Sequence, residues 1–290
     1  MIKSNFVQRT IYGSIYVVLI LGAIFSNSPY LTGALLAAMG SLGIFEFQSI
    51  VSINRDRLFL KIWHSLMGLL LFFIVTTSGV EPLDQKEKII FSLPYTAYVF
   101  FYILAELFRN RKSPIREVAY AFAAHAYCII PLAVVHRLCV DSTLILPENI
   151  PTWMSHTFWL LPMFVFIWIN DTGAFLVGSL MGKTKLFERI SPKKTWEGFM
   201  GGVLFTLLFS IGFYFLFPEV LSFLQWLILA LLVSILATLG DLFESLLKRT
   251  YNVKDSGSIM PGHGGILDRI DSLIMVSVPV FIFVCIVSML

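Results

Sequence analysis

The sequence predicts an all-α polytopic integral membrane protein, on three observations: its composition, its long apolar runs and its uneven distribution of charge. Of the 290 residues, 57% are hydrophobic and only 13% are charged, whereas soluble domains carry about 25% charged residues. The apolar runs are continuous rather than alternating, which favours membrane-spanning helices over a closed β-barrel.

Nine apolar runs are long enough, or nearly long enough, to cross a bilayer. The first run lacks a convincing small-residue cleavage site, so we interpret it as a span rather than as a signal peptide. Only a few residues separate runs seven and eight, which predicts a tight helical hairpin. The sequence has no internal repeat and no long linker, so we expect one membrane domain. The runs lie near 11–27, 30–53, 58–79, 89–108, 117–136, 155–181, 198–217, 220–247 and 267–290.

Positive charge is concentrated on one side of this arrangement. If the N-terminus lies in the cytoplasm, 18 of the 21 Lys and Arg residues fall on the cytoplasmic side. Cytoplasmic loops carry an excess of Lys and Arg, so we expect a cytoplasmic N-terminus and a C-terminus on the far side. The polar segments 182–198 and 248–266 then share the cytoplasmic face. A substrate met there is cytosolic or is a lipid of the inner leaflet.

A polar stripe lies at the end of the eighth run. Asp241, Glu244, Ser245 and Lys248 are spaced i, i+3, i+4 and i+7, which places them on one face of a helix. Ionisable groups at membrane depth are costly, roughly 2.5–3.5 kcal/mol each on insertion scales, so their presence favours a functional role. The alternative is a self-neutralised structural stripe between helices.

The next segment, from Lys254 to Gly265, contains four glycines and Pro261, which argues against a regular helix. Glycine lets backbone N–H groups approach an anion closely, and the N-terminus of the following helix favours phosphate. The alternative is an ordinary flexible turn. His263 alone is more typical of a polar turn residue than of a catalytic group.

The ninth run begins with Asp268 and Asp271, spaced i, i+3 on one helical face. Together with Asp241 they offer the hard oxygen ligands that suit Mg²⁺. The alternative is that acidic residues near a helix N-terminus simply complement the helix dipole.

A second polar cluster covers 170–202. Asn170 and Asp171 lie inside an apolar run, a costly placement that again favours function. Lys193 and Lys194, with Ser191, precede a helix and suit contact with phosphate, although lysines also anchor cytoplasmic loops. Carboxylates for a divalent cation and cations for phosphates indicate phosphoryl or nucleotidyl transfer by charge neutralisation and positioning.

The stretch from Ser245 to Asp271 resembles the signature of the phosphatidate cytidylyltransferases, also called CDP-diacylglycerol synthases. The one departure is Met260, where the family prefers Leu, Ile or Phe, and the exchange keeps an apolar side chain. The matching residues are Ser245, Leu247, Lys248, Arg249, Lys254, Asp255, Gly257, Pro261, His263, Gly264, Gly265, Ile266, Asp268, Arg269, Ile270 and Asp271.

Segments between Asp171 and Gly198 also resemble this family. The recognisable part therefore covers roughly 155–290, which we interpret as the catalytic helices with the loops 182–198 and 248–266. The remainder, 1–154, matches only as apolar N-terminal spans.

The resemblance implies that CMP is transferred from CTP to phosphatidate with Mg²⁺, giving CDP-diacylglycerol and pyrophosphate. It implies metal ligands at Asp241 and Asp268 and allows K⁺ as a second cation. It also implies a homodimer in the bilayer of the cell's inner, cytoplasmic membrane, with the active site facing the cytoplasm and no nucleic-acid partner.

We assign roles to two groups of residues on these grounds. The first group is catalytic, with the two metal ligands among its members. The second group binds substrate, its cations contacting the triphosphate or the lipid phosphate. The catalytic residues are Asp241, Asp268, Lys248 and Asp271, and the substrate-binding residues are Ser191, Lys193, Lys194, Arg249, Lys254, His263, Gly264, Gly265 and Arg269.

Two alternatives remain, and the first comes from another class of protein. Polar residues in broken helices also build transport pathways, but a transporter of that kind predicts two related halves with matching interruptions, and the sequence shows none. A lipid scaffold belongs to the same alternative. The other is a different membrane transferase, such as a CDP-alcohol phosphotransferase or a polyprenol kinase. The phosphotransferase pattern of Asp residues in DxxxD spacing is absent.

Overall fold

The computed structural model describes residues 2–51, 58–78, 84–109, 113–141, 154–257, 259 and 264–289, with the backbone alone for 2–9. It confirms the predicted all-α membrane fold. Within the described residues, eight segments are long and apolar enough to cross a membrane, and Thr10–Phe25 is a shorter apolar helix. The count of nine spans and the cytoplasmic N-terminus stay predictions.

The described helices follow the predicted runs closely. They are α1 (Ile2–Phe25), α2 (Pro29–Val51), α3 (Leu58–Thr77), α4 (Gln85–Phe108), α5 (Pro114–Ala124), α6 (Ile130–Val140), α7 (Leu160–Met181), α8 (Trp196–Leu216), α9 (Phe223–Thr250) and α10 (Leu267–Met289).

A π-helical turn, His125–Ile129, joins α5 to α6 inside the fifth predicted run. Ile130 N donates to His125 O across this turn. Pro131 follows at the start of α6. It has no N–H for the α-helical ladder and its ring would clash with the preceding turn, so a wider turn accommodates it. The turn also lets His125 Nε2 donate to the carbonyl oxygen of His64, at 2.9 Å.

The segment 182–198, expected as a plain loop, contains a β-hairpin. Strand β1 (Lys185–Phe187) pairs antiparallel with β2 (Ser191–Thr195), with Lys185 opposite Thr195. Helix α8 begins directly after β2, and Thr195 caps it by accepting from Gly198 N at 3.2 Å. The hairpin therefore fixes its lysines at the entrance to α8.

Helices α7 to α10 form one bundle, and α10 also packs against α2 and α6. The predicted hairpin of α8 and α9 is confirmed, with Ser222 and Gln225 forming a capping box at the start of α9. Aromatic packing fills one end of the bundle, where the ring centroids of Phe213 and Trp226 lie 5.4 Å apart. The polar residues collect at the opposite end, where α7 and α9 end and α8 and α10 begin.

Candidate active site

The polar stripe on α9 faces α10, as its helical spacing predicts. Lys248 Nζ contacts the carboxylate of Glu244 and also lies 2.5 Å from Asp268 Oδ1. Ser245 Oγ donates to Asp241 Oδ1 at 3.3 Å. The Lys248 ammonium group therefore contacts one acid of α9, Glu244, and one of α10, Asp268. Asp241 instead contacts Lys194 of the hairpin.

Asp241, Glu244 and Asp271 form a cluster of three carboxylates, each offering an oxygen within 4.8 Å of the others. Glu244 is 1% exposed and Asp271 is 8% exposed. Like charges at such distances repel one another. In addition, Glu244 Oε1 is buried and has no hydrogen-bond partner among the described residues. Three carboxylate oxygens with one left unpaired suit a hard divalent cation such as Mg²⁺.

Asp268, predicted as a metal ligand beside Asp241, is engaged differently in this structure. Its Oδ1 contacts Lys248. Its Oδ2 accepts from Ser256 N at 3.0 Å, from Ser256 Oγ at 2.8 Å and from Gly265 N at 2.8 Å. The described contacts make Asp268 the organiser of the loop before α10, and its role as a metal ligand stays a prediction.

The glycine-rich loop wraps around carboxylates. Gly264 has a φ of +84°, which L side chains rarely adopt, and a Cβ there would press on Asp268 Oδ2. A Cβ on Gly265 would overlap Ser256 Oγ. The Gly265 amide already donates to Asp268, so contact of this loop with substrate stays a prediction. His263 lies outside the described residues.

The lysines of β2 reach the same acids from the hairpin. Lys194 Nζ lies 2.6 Å from Asp241 Oδ2 and 3.5 Å from Thr238 O. Lys193 and Lys194 line a cavity of about 390 Å³, whose other lining residues include Asn170, Asp171, Ala174, Phe175, Gly178, Thr195, Phe199, Thr238 and Asp241. The hairpin is therefore in contact with the polar stripe of α9.

A second cavity, of about 250 Å³, is also lined by acids of this region. Its polar lining includes Tyr12, Tyr16, Asp171, Asp268, Arg269 and Asp271, and its apolar lining includes Val17, Phe164 and Ile167. Tyr16 OH donates to Arg269 O at 3.0 Å. Asp171, midway along α7, lines both cavities. Its carboxylate therefore adjoins a space lined by lysines and a space lined in part by apolar side chains of α1 and α7.

The remaining predicted residues lie around this centre. Arg249 is exposed and its Nε donates to Ile190 O at 3.5 Å, which ties α9 to the hairpin. Lys254 is exposed in the loop after α9. Ser191 lies in β2 opposite Phe187.

A family model described as the Cytidylyltransferase family matches residues 7–287. The chain belongs to the Cytidylyltransferase family. The match covers both halves, including the N-terminal spans that sequence reasoning treated as generic.

Curated relatives from this family carry the name phosphatidate cytidylyltransferase. That of Bacillus subtilis (strain 168) is 49% identical over 112 residues, 39% of this chain and 42% of the relative. That of Staphylococcus haemolyticus is 48% identical over 118 residues, 41% of this chain and 45% of the relative. That of Staphylococcus saprophyticus is 35% identical over 214 residues, 73% of this chain and 74% of the relative. The matched stretch is less than half of the first two relatives.

Four residues in or next to the candidate site have no role in the assignments made from the sequence. Glu244 and Asp171 were recognised as costly placements but received no role. Tyr16 had no signal beyond an ordinary aromatic residue in an apolar run. Glu46 had a clear signal, because it is a lone carboxylate in an apolar span, and the structure places it against the start of α10.

Proposed function

We propose that this member of the Cytidylyltransferase family transfers CMP from CTP to phosphatidate, forming CDP-diacylglycerol and releasing pyrophosphate. The observation that carries the proposal is the carboxylate cluster of Asp241, Glu244 and Asp271, of which Asp241 lines one cavity and Asp271 lines the other. A nucleotide and a lipid need such a pair of spaces around one charged centre.

CTP suits the cavity lined by Lys193 and Lys194, where their ammonium groups neutralise the triphosphate. The phosphatidate head group suits the second cavity, beside Arg269, while Val17, Phe164 and Ile167 offer apolar contacts at its wall. Asp171 lies between the two substrates in this arrangement. The residues thus bring the lipid phosphate and the α-phosphorus of CTP together.

In the proposed reaction, an oxygen of the lipid phosphate attacks the α-phosphorus in line. The new P–O bond forms as the bond to the bridging oxygen of the β-phosphate breaks, and the electron pair leaves with pyrophosphate. A phosphate monoester is largely ionised at neutral pH, so a strong general base is not required. Lys194 orients Asp241, and Lys248 holds Glu244 and Asp268 in place.

We include Mg²⁺ in the proposal, held by Asp241, Glu244 and Asp271, with Asp268 as the further ligand that the sequence suggests and K⁺ as a second cation. A bound divalent cation supplies Lewis-acid charge neutralisation at phosphate oxygens. The proposal extends to a homodimer in the inner, cytoplasmic membrane with the active site facing the cytoplasm. Light scattering of the detergent-solubilised protein, corrected for detergent, tests the dimer.

The decisive experiment supplies purified protein in detergent with phosphatidate, CTP and Mg²⁺, and measures pyrophosphate and lipid-linked CMP. Both should form only when all three components are present. Asp268→Asn should remove most of this activity, roughly 100-fold or more, the scale of losing one electrostatic group at a transition state. The protein should remain folded and inserted.

Glu219→Gln is the matched control, because Glu219 is an exposed carboxylate between α8 and α9 at the opposite end of α8. It should turn over as the unmodified protein does. A phosphorylated lipid instead of lipid-linked CMP would indicate a kinase. Substrate movement without turnover would indicate a transporter and overturn the proposal.

A further inference from the structure

Glu46 is a buried carboxylate in the N-terminal half of the chain, far in sequence from the acids of the site. It lies on α2 among apolar neighbours and is 2% exposed. A buried carboxylate is stable only when hydrogen bonds or opposite charges compensate for its lost hydration. Its partners therefore indicate why it is there.

All described hydrogen-bond partners of Glu46 belong to the segment that leads into α10. Glu46 Oε1 accepts from Ile266 N at 3.0 Å, and Oε2 accepts from Leu267 N at 2.8 Å. The first N–H groups of a helix have no acceptor within that helix, and negative charge is favourable there. Glu46 thus acts as a cap for α10 that is supplied by a different helix.

Ser256 links this cap to Asp268. Its hydroxyl lies 3.0 Å from Glu46 Oε2 and 2.8 Å from Asp268 Oδ2, and its backbone N–H donates to Asp268. A hydroxyl has one proton to donate, so it serves one carboxylate at a time. The two acids therefore hold the same short stretch of backbone, Glu46 through Ile266 and Leu267 and Asp268 through Gly265, while Asp268 Oδ1 contacts Lys248.

The loop has room for this arrangement because of its glycines. A Cβ on Gly257 or on Gly265 would overlap the carboxylate of Glu46. From the sequence, the glycines suggest a binding loop for an anion of the substrate. In the structure they surround an anion of the protein itself, the carboxylate of Glu46. The lack of a side chain at these two positions is therefore needed for the contact that the hydrogen bonds define.

We propose that Glu46 is a positioning residue for the transferase reaction, because it fixes the start of α10 and thereby the orientation of Asp268 towards Lys248. It touches neither substrate in this arrangement. The proposal depends on the proposed function for its kinetic consequence, whereas the capping contact can be tested without turnover.

Glu46→Gln tests this role with little change in size. The amide keeps one oxygen acceptor, but its NH₂ group cannot accept from Leu267 N or from Ser256. We expect faster hydrogen–deuterium exchange in a peptide that contains Gly265, Ile266 and Leu267. We also expect kcat to fall by about 10- to 100-fold, the effect typical of residues that orient groups at a metal site, with KM for CTP unchanged.

Glu106→Gln is the matched control, since Glu106 is also a buried carboxylate of the N-terminal half, 1% exposed on α4, and contacts Arg109. It should leave exchange at residues 265–267 and kcat unchanged. If Glu46→Gln fails to fold, Ser256→Ala decides, because it removes only the linking hydroxyl and should give the same two changes to a smaller degree.

The two measurements, hydrogen–deuterium exchange and kcat, test the cap and the positioning role separately. Unchanged exchange at residues 265–267 would overturn the cap. Faster exchange with wild-type kcat would overturn the positioning role and leave a purely structural contact. If the unmodified protein shows no turnover, the proposed function is wrong, and the positioning role falls with it. The cap would still stand if hydrogen–deuterium exchange at residues 265–267 depends on Glu46.

Discussion

Lys194 connects the hairpin to the carboxylate cluster through a single side chain. It lies on β2, lines the larger cavity and contacts Asp241. An isolated surface ion pair contributes little to stability, and Lys194 and Asp241 are both partly exposed. The pair therefore contributes little to folding, and Lys194 is available for the CTP contact that we propose.

Lys194→Gln should lower kcat/KM for CTP by about 10- to 100-fold. Hydrogen bonds to charged groups contribute about 1.5–3 kcal/mol, and about 1.4 kcal/mol corresponds to a tenfold change. Steady-state kinetics with varied CTP measures the effect.

Lys185→Gln serves as the control, because Lys185 is an exposed lysine of β1 in the same hairpin. It should keep the unmodified kcat/KM. Equal losses in both variants would show that general positive charge, rather than the place of Lys194, matters.

Among the helices, α8 and α9 each begin with a side-chain cap, and the two caps lie at opposite ends of the bundle. Ser222 caps α9 at the aromatic end, by accepting from Gln225 N, and Thr195 caps α8 at the polar end. Both caps satisfy amide groups that a helix start leaves without an acceptor. Only the cap of α8 also sets the position of a strand that lines a cavity.

Ser222→Ala and Thr195→Ala should each reduce the free energy of unfolding by about 1 kcal/mol, the usual effect of losing such a cap. Thermal unfolding in detergent measures both. Turnover should fall only in Thr195→Ala, because Thr195 joins β2 to α8 beside Lys194. A matching fall in Ser222→Ala would mean that stability alone limits activity.

The elements that sequence could predict are those whose signal is local. The stripe of Asp241, Glu244 and Lys248 follows from helical periodicity, and the start of α10 follows from the glycines and proline before it. The β-hairpin has strands of three and five residues, too short and polar to give an alternating pattern. The role of Glu46 could not be predicted because its partners lie 210 to 221 residues away in the chain.

The polar residues of the candidate site lie at one end of the bundle formed by α7 to α10. The site collects the end of α9, the start of α10 and the hairpin, while the α8–α9 connection lies at the opposite end. The charge distribution predicts that the site end faces the cytoplasm.

Labelling of introduced cysteines tests that orientation in sealed vesicles. In a Cys285→Ser background, Glu188→Cys on the hairpin should react only with a reagent supplied from the cytoplasmic side. Glu219→Cys should react only from the far side. Cys128 and Cys139 are buried and should remain unlabelled. The reverse pattern would contradict the predicted orientation.

The cap that Glu46 places on α10 also limits how this polypeptide can be divided or recombined. A fragment that begins after α6 would contain every residue of the recognisable stretch, yet two amide groups at the start of α10 would lose their acceptor. Chimaeras that exchange N-terminal halves between relatives should function only when the donor half supplies a carboxylate at the place of Glu46. The N-terminal spans, although their sequence looks generic, would thus have to match the C-terminal half that contains the candidate site.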